Sequence, residues 1–253
     1  MLTFTDAQLA AWLTPLLWPF IRILALFSSA PLLSQKTVPV RVRVALAFLI
    51  TISAQASLPP MPAIALDSPL VYAVVMQQVL IGVTLGFAAR IVFAAIEFAG
   101  ELVGLQMGLN FAGFFNPATG TDGTAVGRFF SIIVSWLFII INGHLLLVAA
   151  MVQSFNAFPV TAEPFSFMHV LQPQTWGAEI FKLGLWIALP MITMLLFVNL
   201  VMGVVSRVAQ QMNIFAVGFP VTLGVGLVGV LLTLPMMQAP FTMALEQMLS
   251  RFQ

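Results

Sequence analysis

Ionisable residues are scarce in this chain, so the few that stand together carry the first information about its chemistry. Arg90, Glu97 and Glu101 fall within one narrow helical face at about 100° per residue, and Gly104 and Gly108 share that face. Gly100, Gly104 and Gly108 also repeat the small-xxx-small spacing that lets two helix backbones approach closely. A charge on a lipid-exposed helix costs roughly 2.5–3.5 kcal/mol, so this face must meet protein or a wet cavity. It reads either as a tight helix–helix seam with an internal ion pair or as a stripe lining a pore. Both arrangements require partners.

Catalysis has little to work with. His144 and His169 are the only imidazoles, and neither stands in a metal-ligand spacing such as H-E-x-x-H. Ser131 and Ser135 lie near His144 along the chain, but no G-x-S-x-G elbow frames either. His144 follows Asn142-Gly143 inside a long apolar stretch, where a helix-packing hydrogen bond is expected of it rather than a proton relay. The run Gly120-Thr121-Asp122-Gly123 lacks the Lys and the spacing of a phosphate-binding loop. Cysteine is absent, which excludes disulfides, thiolate catalysis and sulfur-ligated metals. No enzyme activity, metal or cofactor is expected.

The most unusual segment runs from Leu109 to Gly127. It places Phe111, Phe114 and Phe115 beside Asn116 and Pro117, then continues through Gly and Thr residues that resist both helix and strand. Such aromatics could anchor the loop in the headgroup layer, although Trp and Tyr are the commoner choices there. Alternatively they form a soft apolar plug, because a hydrophobic constriction blocks ions by dewetting. Irregular backbone at membrane depth is tolerated only inside protein or beside a cavity.

The elements that must position these groups are apolar helices. Of 253 residues, 61% are hydrophobic and 7% charged, against about 25% charged in an ordinary soluble domain. With a mean hydropathy of +1.08, the chain lacks the polar side chains needed to cover a globule. Its net charge of +1 and its lack of extended basic clusters leave no electrostatic footprint for nucleic acid. The chain is expected to be an all-α membrane-type protein of about six long apolar helices. The stretches run Leu9–Ser29, Val42–Leu58, Leu70–Leu109, Phe129–Phe158, Trp176–Val205 and Ile214–Met237, with Pro or Gly in each of the first four loops between them. The segment Met1 to Gln8 has no Lys or Arg, so the first stretch is expected to be retained rather than cleaved. Lys36, Arg41 and Arg43 fall in the first loop and at the start of the second stretch; Arg128 and Arg207 lie by the third and fifth loops. If all six stretches cross, this bias puts the odd loops in the cytoplasm and both termini outside.

Broken helices and intramembrane charges also mark secondary transporters, and Arg90, Lys182 and Pro190 could serve one. No internal repeat pairs the first three stretches with the last three, however. The 14 Met and 23 Phe residues point instead to adaptable packing surfaces meant for other chains.

Four blocks carry a family resemblance. They are Arg22 through Pro31-Leu32-Leu33-Ser34 to Val38-Pro39-Val40-Arg41-Val42-Arg43, then Gln106-Met107-Gly108 with Phe114-Phe115-Asn116-Pro117, then Leu189-Pro190 to Asn199, and last Gln211-Met212-Asn213-Ile214-Phe215-Ala216-Val217-Gly218-Phe219-Pro220. In order and spacing they resemble the flagellar biosynthetic protein FliR family over nearly the whole chain. Gln210 departs from the pattern, standing where the family has Pro before Gln211 and Asn213.

The resemblance implies an inner-membrane subunit of the bacterial flagellar type III export gate, within the basal body. There the family assembles with FliP and FliQ, beside FlhA and FlhB, into the conduit for unfolded flagellar subunits. It implies helical hairpins, with a FliP-like portion over residues 1–172 that includes a plug loop at 109–127. A FliQ-like hairpin follows over 173–253, with the motif residues Gln211, Asn213, Gly218 and Pro220. The homologous subunit of a virulence injectisome is the alternative within the same protein type. In the assembled gate the family's hairpins lie largely outside the lipid plane, so six crossings describe insertion rather than the finished complex.

Overall fold

Where no water competes for backbone groups, the apolar runs satisfy their own amides by folding as α-helices. The computed structural model describes residues 6–62, 64, 67–109, 123–209 and 214–253. The described helices are α1 (Asp6–Ser29), α2 (Val40–Ala54), α3 (Leu70–Gln106), α4 (Ala125–Ile140), α5 (Gly143–Ala157), α6 (Ser166–Leu171), α7 (Gly177–Val208), α8 (Ile214–Thr233) and α9 (Gln238–Leu249). No strand occurs among the described residues, and the all-α membrane class holds. Among the described residues, five helical stretches are long and apolar enough to cross a membrane, or six if α4 and α5 together make one broken span.

The expected stretch Phe129–Phe158 is not a straight span. α4 and α5 meet at a 66° bend. Asn142 adopts the left-handed conformation there, at φ 57°, immediately before Gly143. Asn tolerates that region because its short side chain adds little steric penalty. The apolar content read as one span is thus divided by an Asn-Gly corner. The sixth stretch also differs: α8 ends at Thr233, a 3₁₀ turn at Leu234–Met237 carries Pro235, and α9 extends the helical path. Pro15, Pro19, Pro190 and Pro220, by contrast, lie inside helices without ending them. α3 is a single helix of 37 residues, about 55 Å long at 1.5 Å per residue, well beyond a hydrocarbon core of about 30 Å.

The chain forms two compact units. The first comprises Met1–Ile91, Asn142–Trp176 and Leu245–Gln253, the second Val92–Ile141 and Gly177–Ala244. In the first, α1 lies tightly against α3. A Cβ at Gly82 would come 2.8 Å from Ala25 Cβ, and one at Gly86 would come 2.8 Å from Ala30 N. Its aromatic core places Trp176 against Phe252 at 6.1 Å, and Phe252 against Phe158 at 6.4 Å. The Trp176 indole donates to Leu171 O at 3.1 Å, fastening the segment after α6. In the second unit Phe93 sits edge-on to Phe138 and Phe241 at 5.4 and 5.7 Å. Gly229 of α8 faces Met191 and Met194 of α7, and Gly226 faces Met107. Flexible Met side chains thus fill the space beside small residues, as expected of an adaptable core.

Candidate functional site

The polar face of α3 meets α4. Gly100 lets the helices close: a Cβ there would come 2.9 Å from Gly127 Cα and 2.9 Å from Phe130 Cβ. One at Gly104 would strike the Thr124 side chain. Gly108 does something else. At φ 79° it ends α3, with Leu109 N donating to Gly104 O at 3.1 Å and Gly108 N to Leu105 O at 3.0 Å. That pattern is a Schellman cap, whose left-handed residue is most often Gly because it has no Cβ to clash. The periodic glycines therefore split into a two-residue seam and a helix stop.

Both carboxylates on this face are engaged, and neither by Arg90. Glu97 accepts a short hydrogen bond from Ser131 Oγ of α4. Glu101 accepts from Thr124 N through both oxygens, at 2.9 and 2.8 Å, while Thr124 Oγ1 accepts from Gly127 N at 3.0 Å. A carboxylate at the start of α4 also opposes the positive end of that helix dipole. Arg90 is exposed, and among the described residues it has no hydrogen-bond or ion-pair partner. The expected internal ion pair is therefore replaced by carboxylate–donor contacts across the seam. The periodicity placed the three charges on one face but carried no information about the donors of α4.

Glu101 and Gly104 hold Thr124, and Gly104 holds Leu109, so one stretch of α3 secures both described flanks of the Phe-bearing loop. Phe111, Phe114, Phe115, Asn116 and Pro117 themselves lie outside the described residues, as do Gln211 and Asn213. Gly218 is half-buried and Pro220 exposed on α8, where the buried Thr222 hydroxyl donates to Gly218 O at 3.1 Å.

A buried cation emerges that sequence reading passed over as a functional group. Arg22 of α1 is wholly buried. Its Nε donates to Gln78 Oε1 at 2.8 Å, one terminal nitrogen donates to the carbonyl and hydroxyl of Ser154, both at 3.0 Å, and the other donates to Phe158 O at 2.9 Å. The guanidinium also lies 3.6 Å over the Phe155 ring. The network continues, since Gln78 donates to Gln77 at 2.8 Å and Gln77 to Thr161 Oγ1 at 2.8 Å. Four donors of a rigid fork thus tie α1 to α3, to the end of α5 and to the segment beyond it. The available signal was an ionisable residue inside an apolar stretch, which by default marks an internal site.

The remaining groups offer little chemistry. His144 is exposed at the start of α5 and makes no hydrogen bond through its side chain among the described residues, so the packing bond expected of it does not form. His169, Lys182 and Pro190 are exposed. Among the described residues no three His, Cys, Asp or Glu side chains gather as metal ligands. A cavity of about 390 Å³ in the second unit, lined by residues such as Phe130, Trp186, Pro190 and Met237, holds Thr233 as its only hydroxyl.

What the chain offers instead is uncovered apolar helix. In α3, 67% of the most apolar window is buried, but in α2 and α7 only 17% is. Trp186, Phe197 and Leu200 of α7, at 61–66% exposed, project from a helix with almost no charge to hold them in water.

Comparison with known proteins supplies the context. The family described as bacterial export proteins, family 1, matches residues 13–248. Flagellar biosynthetic protein FliR of Pectobacterium carotovorum is 42% identical over 241 residues, covering 93% of this chain and 90% of that protein. Its namesake in Escherichia coli K12 is 41% identical over 245 residues, covering 95% and 92%. That of Aquifex aeolicus is 30% identical over 227 residues, covering 89% and 87%.

Proposed function

This chain belongs to the FliR family of bacterial export proteins, and on that premise we propose that it forms, with FliP- and FliQ-like subunits, the conduit through which unfolded flagellar subunits cross the inner membrane. It is a membrane component of the flagellar export apparatus. The finer reading places it in the basal body, beside FlhA- and FlhB-like proteins, as a passive channel subunit rather than an enzyme. Energy for export comes from elsewhere in the apparatus.

One observation supports the conduit reading above the others. Glu97 and Glu101 of α3 are engaged by Ser131 and Thr124 at α4, while α2 and α7 leave their apolar faces open. A transporter working alone would enclose its charges around a polar cavity and present the apolar faces to lipid. Here the cavity of about 390 Å³ beside Phe130, Trp186 and Met237 is apolar. In this reading partner helices cover α7 and α8, residues 1–172 are the FliP-like portion, and 173–253 are the FliQ-like hairpin. That division follows likeness along the sequence, and the compact units cut across it. The loop at 109–127 is the plug, with Phe111, Phe114 and Phe115 closing the empty conduit. Arg90, without a partner among the described residues, faces a partner subunit.

The test is secretion. In a flagellated bacterium lacking its own FliR, this chain expressed with its native partners restores export of flagellar subunits to the medium. Assembled complex without secretion of any flagellar subunit would overturn the flagellar reading, and recovery of virulence effectors alone would assign the chain to an injectisome.

A further inference from the structure

The first half of α3 is enclosed on most sides but leaves one line of residues open. Between Val74 and Ile91 its exposed positions are Met76, Val79, Val83, Phe87 and Arg90, and Tyr72 continues the line one turn earlier. Steps of three or four residues confine this line to an arc of about 80° at 100° per residue. The flanks are closed. Gln77 and Gln78 are held in the Arg22 network, Gly82 and Gly86 lie against α1, and Ile81, Leu85, Ala88 and Ala89 are fully buried. The whole line lies within the first compact unit and runs about 27 Å along the helix.

Its composition is as restricted as its width. Tyr72, Met76, Val79, Val83 and Phe87 are apolar or aromatic, and Arg90 is the one charge. Among the described residues Arg90 has no hydrogen-bond or ion-pair partner. An arc this narrow, with about one residue per turn, has the width of a seam between two helices rather than of a broad open face. The charge then selects what covers it. Hydrocarbon would suit the five apolar residues but strand Arg90, at roughly 2.5–3.5 kcal/mol. Water would suit Arg90 but leave the apolar line wet. A helix that is apolar along its length and carries a carboxylate at one end meets all six residues at once.

We propose that this line seats a helix of a partner subunit, which lays an apolar face along Tyr72 to Phe87 and sets an Asp or Glu side chain against Arg90. The planar guanidinium fork pairs with a carboxylate through two parallel hydrogen bonds, which fixes the register of the two helices as well as their affinity. The proposal rests on the reading of this chain as one subunit of an assembly. To that reading it adds which surface of α3 is covered and what the covering helix must carry.

The experiment uses the full chain coexpressed with its FliP- and FliQ-like partners. Benzoylphenylalanine is placed at Val79 or at Val83, the complex is irradiated, and the captured peptide is identified by mass spectrometry. Both positions are expected to capture one partner helix, with an Asp or Glu about 10 Å, or two turns, from the point captured by Val83. Arg90→Glu lowers the recovered complex on the order of tenfold or more, and Arg90→Lys keeps part of it. Changing the captured helix's acid to Lys in the same cells as Arg90→Glu restores the complex. Capture of lipid alone, capture of a helix without an acid at that distance, or full recovery of the Arg90→Glu complex overturns the proposal. So does a charge exchange that restores nothing. A complex that obeys the charge exchange yet exports no flagellar subunit supports the seam and removes only the export reading.

Discussion

Arg22 shows how a single side chain can organise a unit. Its four hydrogen bonds reach residues 56 to 136 positions away in sequence, and all of its acceptors are neutral. Truncation to Ala leaves Gln78 Oε1 and Phe158 O without a partner among the described residues, at about 1–3 kcal/mol each, while Ser154 keeps its bonds to Phe158 N and Met151 O. Arg22→Ala should therefore lose about 2 kcal/mol or more and accumulate poorly in membranes. Arg22→Lys should also fall short, because an ammonium cannot reproduce the planar fork. Membrane protein levels and melting in detergent report this. If Arg22→Ala accumulated and melted normally while export failed, the residue would belong to the transport path instead. None of the distant acceptors was legible in sequence, since periodicity relates only residues a turn or two apart. Glu97, Glu101 and Gly104 were legible for the same reason, sharing one face within eight residues.

The plug, too, depends on single side chains. A conduit wide enough for an unfolded chain would leak ions when empty, so it needs an apolar constriction that yields without breaking strong bonds. Each of Phe111, Phe114 and Phe115 buried against partner apolar surface would contribute roughly 1.5–3 kcal/mol. That holds a closed state yet lets an arriving substrate displace it. Replacing all three with Ala should leave assembly intact and raise ion conductance in cells that coexpress the partners. Wild-type conductance in an assembled triple variant would make these residues anchors or packing.

At the scale of elements, the contact between α3 and α4 is the joint on which the loop depends. Gly104→Val would drive two methyl groups into Thr124, whose backbone amide is already held by Glu101. Overpacking of this kind costs about 1–3 kcal/mol. It should also loosen the α4 N-terminus, seen as faster amide exchange at residues 124–128, while Gly203→Val, at a glycine with open space around it, changes little. Equal effects at both positions would remove the seam from the account. The long helices were legible because composition and length suffice to identify an apolar span. The corner at Asn142 was not, because a left-handed residue changes neither hydropathy nor period. Pro190 and Pro220 did not mislead, since the apolar stretches run through them and α7 and α8 do too.

For the molecule as a whole, the open faces of α2, α7 and α8 decide the physical account. Helices this apolar and this little buried cannot be the finished state of a protein in water. Either lipid covers them or other subunits do, and sequence alone could not choose because both coverings select the same residues. The most direct test is coexpression with FliP- and FliQ-like partners, followed by detergent extraction and size-exclusion chromatography with mass measurement. The account predicts that the chain alone aggregates or falls to low yield, and that with its partners it elutes as one stable complex of fixed stoichiometry, with α7 and α8 protected from hydrogen exchange. A monodisperse monomer that is stable alone, ignores the partners and moves a solute when reconstituted would contradict it.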